Sequence, residues 1–138
     1  LRLPDEPIPE AGPEAEGPVR LLFLHDDPVV RRSLRRAFGD GGFAASAAPV
    51  GGDALVLLGT NRRFDLVLCD VDAPGNAGLD LCAEIAASWP ELAPRLALLT
   101  AGLVRPDLRR PAAASGLPVL EQPVDAGAIR ALLATRRG

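Results

Sequence analysis

The polar residues that sit just past short apolar runs are the ones able to do chemistry: His25, Asp26 and Asp27, then Asp70 and Asp72, then Thr100 and Gln122. Carboxylates arriving from two neighbouring strands make a hard oxygen site. Mg²⁺ suits such a site, because it takes one or two carboxylates together with waters and a phosphate oxygen. Each acid alone has a plainer reading. Asp27 precedes Pro28 and reads as a helix N-cap. The combination of Asp26 and Asp70 is stronger than either residue singly. Thr100 and Gln122 add hydrogen-bonding groups without adding charge.

Composition removes several other chemistries. The 138 residues hold two cysteines, Cys69 and Cys82, and a single histidine, which excludes a disulfide framework and a zinc site of several Cys or His ligands. Both cysteines read as buried small hydrophobes. Every basic residue is arginine; the chain has no lysine, methionine or tyrosine. The missing initiator methionine leads us to expect a piece of a longer chain or a processed form. A net charge of −3 gives no sign of nucleic-acid binding driven by bulk charge. No apolar run approaches the roughly 20 residues that a membrane-spanning helix needs. The first residues, rich in Pro and Glu, do not resemble a signal peptide.

These residues need elements to position them. Residues 1–18 carry Pro4, Pro7, Pro9, Pro13 and Pro18 and a strong acidic excess, and read as a linker, leaving 19–138 as one domain. From there the pattern alternates. Residues 19–25 (VRLLFLH) are a nearly continuous apolar run, as expected of a parallel strand covered on both faces. Asp27-Pro28 then opens an amphipathic helix with Val30, Leu34 and Phe38 on one face, ended at Gly39–Gly42. Further strands are expected over 43–48, 64–70, 95–100 and 118–121. Helices are expected over 52–58, 79–89 and 125–136, with 72–78 a loop. A helix within 106–115 should be broken by Pro111. Five such units predict a (βα)5 doubly wound, five-stranded parallel sheet, whose functional crevice lies at the carboxyl ends of the strands.

LLFLHDDPVVRRSLRRAF, FDLVLCDVDAPGNAGLDLCAEI, LALLTA and LEQPVD, in this order, resemble four segments of the receiver (CheY-like) domain of two-component response regulators. The spacings are 44 residues from Asp26 to Asp70, 30 on to Thr100 and 22 on to Gln122, and the resemblance spans roughly residues 19–136. It implies a flavodoxin-like sheet of strand order 2-1-3-4-5. It also implies a phosphorelay function, with Asp70 the phosphoacceptor for a phosphohistidine donor. Asp26, Asp70 and the backbone carbonyl of Asp72 would hold Mg²⁺, His25 would act through a metal-bound water, and Thr100 would bond a phosphoryl oxygen. The implied partners are a histidine kinase domain, in the same or a separate chain, or a histidine-phosphotransfer protein. No nucleic-acid or membrane contact by this stretch is implied, weak homodimerisation is compatible with it, and the location is cytoplasmic. LRLP at 1–4 resembles the last strand of the ATP-binding domain of sensor kinases, which would make this the C-terminal receiver of a hybrid histidine kinase.

Three departures stand out. His25 replaces the first acid of the family's acidic pair. Gln122 replaces the family lysine, and an arginine from elsewhere, such as Arg105, would compensate only in part. Val119 replaces the aromatic switch residue. They leave open the alternative of a degenerate pseudo-receiver that holds a partner without being phosphorylated. If active, the domain would catalyse its own aspartyl phosphorylation. The D-x-D of Asp70-Val71-Asp72 also matches haloacid-dehalogenase-like phosphatases, but those use a catalytic cation, usually lysine, that this chain lacks.

Overall fold

A computed structural model describes residues 17–73, 77–102 and 106–137. Strands β1 (Arg20–Leu24), β2 (Ala44–Ala48), β3 (Leu66–Asp70), β4 (Leu96–Thr100) and β5 (Val119–Glu121) alternate with helices α1 (Pro28–Asp40), α2 (Gly52–Thr60), α3 (Ala77–Ser88), α4 (Pro106–Ser115) and α5 (Ala126–Arg137). All strand pairs are parallel, in the order β2-β1-β3-β4-β5. The expected doubly wound sheet is therefore present.

The continuous apolar runs have the reason anticipated for them. Every residue of β3 and β4, and the last four of β1, is buried. Alternate side chains feed two cores. Leu22, Leu24, Val67, Cys69 and Leu98 pack under α2, α3 and α4. Leu21, Phe23, Leu66, Leu68 and Leu99 pack under α1 and α5 with Phe38, Ile129 and Leu133. Phe38 packs between Phe23 and Phe43, tilted against the first and edge-to-face with the second, with ring centroids 5.1 and 5.5 Å away. Burying an aromatic side chain of this kind stabilises the fold by about 3 kcal/mol, so α1 is firmly seated beside the site it helps to build.

The helix caps follow the sequence. Asp27 Oδ1 accepts the Val29 N–H at 2.9 Å, and Asp125 Oδ1 accepts that of Ala128 at 2.8 Å. Two expectations need correction. Pro111 does not break α4, which runs unbroken from Pro106 to Ser115. Pro111 lies on the exposed side, while Leu108 and Ala112 bury the opposite one; tertiary burial outweighs the loss of one intrahelical bond. The loop expected over 72–78 is shorter, since α3 already begins at Ala77, and its Pro74 and Gly75 lie outside the described residues. A 3-10 turn, Pro90–Arg95, which the sequence reading marked only as a helix end, links α3 to β4.

Candidate functional site

Strand register brings the predicted residues to one edge. Asp70 ends β3 and pairs with Leu99, so Thr100 stands one step further along β4, beside Glu121 of β5. The ladder continues past the strands: His25 N–H donates to Ala48 O at 3.0 Å, Val71 N–H to Leu99 O at 2.9 Å and Gln122 N–H to Thr100 O at 2.8 Å. These backbone bonds fix the bases of His25, Thr100 and Gln122 and the end of β3 beside Asp70.

Asp70 is only 6% exposed. One carboxylate oxygen, Oδ1, accepts the Asp72 N–H at 2.9 Å. The other, Oδ2, lies 3.5 Å from His25 Nε2. Burial pushes the Asp70 carboxyl above its ordinary range; the Asp72 N–H and His25 pull it back, while the charges of Asp72 and Asp26 push it further up. The ring of His25 is oriented by its own turn. Its Nδ1 accepts the Asp27 N–H at 3.1 Å, so the proton of the neutral ring is on Nε2 and points at Asp70. The structure therefore places His25 against Asp70 itself.

Asp26 is exposed, and its Oδ1 accepts the Val50 N–H at 2.9 Å, tying the end of β1 to the loop before α2. The Asp72 side chain reaches across to β4. Its Oδ2 accepts the Ala101 N–H at 2.7 Å, and the Thr100 hydroxyl lies 3.2 and 3.1 Å from its Oδ1 and Oδ2. Thr100, only 3% exposed, also has Gly102 O 2.9 Å from its hydroxyl. Gln122 is half-buried, and its backbone joins the ladder while no described residue hydrogen-bonds its side-chain amide. Arg105 lies outside the described residues.

Two further residues build the site. Arg31 stands on α1 with Arg32, Arg35 and Arg36, and a run of arginines on a helix is usually a solvated face. Its guanidinium instead donates to His25 O at 2.8 Å and Asp26 O at 3.0 Å, clamping the acidic turn; an arginine on the second turn of the helix that follows the acids was the available signal. Gly78 packs α3 against β3 so closely that a Cβ would collide with the Asp70 carbonyl oxygen and stand 3.0 Å from its carbon. Cys69 and Cys82 are both buried, and the hydrogen bond between them and burial push the Cys69 thiol well above its ordinary value.

The donor set of Asp26, Asp70 and a backbone carbonyl fits a hard divalent cation by type and charge. Among the described residues, no three His, Cys, Asp or Glu side chains are already gathered around one point. The Asp26 carboxylate is engaged by Val50, so it would have to turn to reach a cation shared with Asp70.

This fold and edge define a doubly wound α/β domain with an acidic, oxygen-lined site at its carboxyl end. The chain belongs to the response regulator receiver domain family, which matches residues 21–134. The response regulator MprA of Mycobacterium sp. (strain KMS) is 39% identical over 75 residues, covering 54% of this chain and 32% of that protein. The chain thus spans about a third of the curated relatives it matches. A CheY-like receiver domain from Methylobacillus flagellatus superposes with a TM-score of 0.70 at 23% identity, covering 87% of this chain and 99% of that one. A Burkholderia pseudomallei response regulator, solved with a phosphorylated aspartic acid, calcium ion and citrate, gives a TM-score of 0.66 at 26% identity over 83% of this chain and 66% of that one. The response regulator TrrA, solved in complex with the histidine kinase ThkA, gives 0.67 at 21% identity over 87% and 99%.

Proposed function

We propose that this domain accepts a phosphoryl group from a phosphohistidine onto Asp70, with Mg²⁺ bound by Asp26, Asp70 and the Asp72 carbonyl. The observation that carries the reading is Asp70 itself: a buried carboxylate at the end of a central strand, oriented by the Asp72 N–H and facing the edge where Thr100 emerges. In the transfer, an Asp70 carboxylate oxygen forms the new O–P bond while the N–P bond of the donor imidazole breaks, and the imidazole leaves with a proton taken from solvent. The chain's work is positioning. The Asp72 N–H and the β3–β4 ladder hold the nucleophile, Arg31 holds the acidic turn, and the Thr100 hydroxyl offers a hydrogen bond to the transferred group. The metal, when bound, supplies neutralisation of the charge gathering on that group.

The donor would be a histidine kinase domain or a histidine-phosphotransfer protein. Among the described residues no helix is long and apolar enough to cross a membrane, which fits a cytoplasmic setting. The acidic 1–18 stretch would then serve as a linker, and LRLP is the sole support for a hybrid-kinase parent.

One observation favours the pseudo-receiver reading. His25 lies against Asp70 and Asp26 is held by Val50, so the side chains expected to bind metal are engaged with the protein itself. Amide NMR with Mg²⁺ and then beryllofluoride, a phosphoryl mimic, decides between the two. Shifts around Asp26, Asp70 and Thr100 that vanish in Asp70→Asn support the phosphoacceptor. No shifts at millimolar Mg²⁺ would leave the partner-holding module.

A further inference from the structure

The Asp72 side chain has no part in the scheme above, which uses only its backbone. Yet its carboxylate makes the tightest polar contacts of the site. Oδ2 accepts the Ala101 N–H at 2.7 Å and lies 3.1 Å from the Thr100 hydroxyl, whose distance to Oδ1 is 3.2 Å. A hydroxyl and a backbone amide on consecutive residues lie against one carboxylate and form an oxyanion cradle that already holds an oxyanion; the Ala101 N–H is its firm donor, since Gly102 O, 2.9 Å from the Thr100 hydroxyl, competes for that group's single proton. Bonds of this kind to a charged acceptor are roughly twice as strong as neutral ones. The cradle is well fixed: Thr100 is buried, and Gly102 N–H donates back to its hydroxyl at 3.2 Å.

The position of this cradle is what matters. It lies on β4 next to the end of β3, and Asp72 bridges the two, donating its own N–H to Asp70 Oδ1 while its carboxylate holds Thr100 and Ala101. We propose that Asp72 is a built-in occupant of the cradle that would receive a phosphoryl group on Asp70, so that the group binds Thr100 and Ala101 only after the Asp72 carboxylate is displaced. This rests on Asp70 being the acceptor. Charge opposes sharing. A phosphoryl group carries about −1.5 to −2 at neutral pH, and on the β4 side, away from the carboxylates that would hold the metal, the chain has no lysine to stand between it and the Asp72 carboxylate. One consequence follows for the unmodified protein: Thr100 is drawn toward β3 before any phosphorylation, by a carboxylate acting where the phosphoryl oxygens would act.

Two measurements on the intact chain separate this proposal from the reading beneath it. The first needs no phosphoryl chemistry. In Asp72→Ala the Ala101 amide proton should move upfield as it loses its charged acceptor, and added acetate should restore the wild-type shift by entering the vacated cradle. An Ala101 resonance unmoved by the substitution, or unmoved by acetate, overturns the cradle. Asp72→Asn keeps the shape of the side chain and removes its charge, so it should shift Ala101 partway without loosening the loop. The second is beryllofluoride titration in Mg²⁺, where Asp72→Ala should bind about tenfold tighter than wild type. Equal affinities overturn the competition. Uptake by neither chain overturns the phosphoacceptor reading and the competition with it, while the acetate result still decides whether the cradle is an anion site.

Discussion

Substituting His25→Asp restores the paired acids of the wider family, and the structure says what that would do. His25 Nε2 lies 3.5 Å from Asp70 Oδ2, and the shorter side chain of an aspartate there sets two like charges roughly 6 Å apart. The repulsion is about 0.7 kcal/mol if water screens the pair fully and about 3 kcal/mol at an effective dielectric near 20. His25 is at the rim and Asp70 is buried, so an intermediate cost of about 2 kcal/mol is expected. For a domain of this size that lowers Tm by roughly 6–10 °C. A divalent cation reverses the sign. One further carboxylate about 4 Å from a doubly charged ion gains about 2 kcal/mol even in bulk water, or about thirtyfold in affinity. Thermal melts with and without about 10 mM MgCl₂ should therefore show a small response in wild type. In His25→Asp they should show a low Tm that Mg²⁺ largely recovers, through binding to the folded state alone. His25→Asn is the control, because it removes the ring without adding charge. If His25→Asp and His25→Asn melt alike in both conditions, the imidazole is not standing in a charge-sensitive position and the reasoning fails.

Three shorter predictions test other parts of the site. Because burial raises the Asp70 pKa in the folded state, the native protein holds that proton more tightly than the unfolded chain; the site favours folding at low pH and loses that advantage as pH rises through the raised value. Asp70→Asn should therefore melt higher than wild type at about pH 8 and converge with it toward about pH 4, and a calorimetric series with a constant gap would contradict the assignment. Gly78→Ala forces α3 away from the Asp70 carbonyl and should cost about 1–3 kcal/mol by urea denaturation; an unchanged midpoint would mean that the helix yields freely. Gln122→Lys supplies the missing cation and should tighten beryllofluoride binding about tenfold, read by the same amide shifts, whereas no gain would show that position 122 does not face the acceptor.

The fold was legible because its signals are local and repeated. Apolar runs such as LVLCD and LALLT can only be buried on both faces, and Asp27 and Asp125 announce their helices by side-chain chemistry that needs no tertiary context. The edge that carries the site followed from the same parallel pattern. What escaped were outcomes decided between elements. Pro111 is tolerated because Leu108 and Ala112 anchor the other side of α4. The role of Arg31 depends on where α1 docks against the turn before it. The side chains of Asp26 and Asp72 could be placed at the site by spacing, but spacing does not say which hydrogen bond each makes. Asp26 turns to Val50 and Asp72 to Ala101 because unpaired backbone N–H groups lie within reach, and such groups attract carboxylates strongly.

The charge inventory of the site sets how much it depends on metal. Asp26, Asp70 and Asp72 bring their carboxylates to the edge, and His25 adds a ring nitrogen 3.5 Å from Asp70. Arg31, the cation clamped to the acidic turn, has its guanidinium on the carbonyls of His25 and Asp26, so it fixes the backbone and does not face Asp70. Thr100 and Ala101 contribute dipoles. Among the described residues, then, no lysine or arginine side chain is set against the Asp70 carboxylate. A site with both a lysine and a metal would keep one of its two positive partners when the metal is removed; this one would keep none. Chelation with EDTA should therefore abolish beryllofluoride binding outright rather than weaken it, and Gln122→Lys should restore a measurable fraction without added Mg²⁺. Binding that persists in EDTA in the wild-type chain would mean that protein donors alone hold the anion.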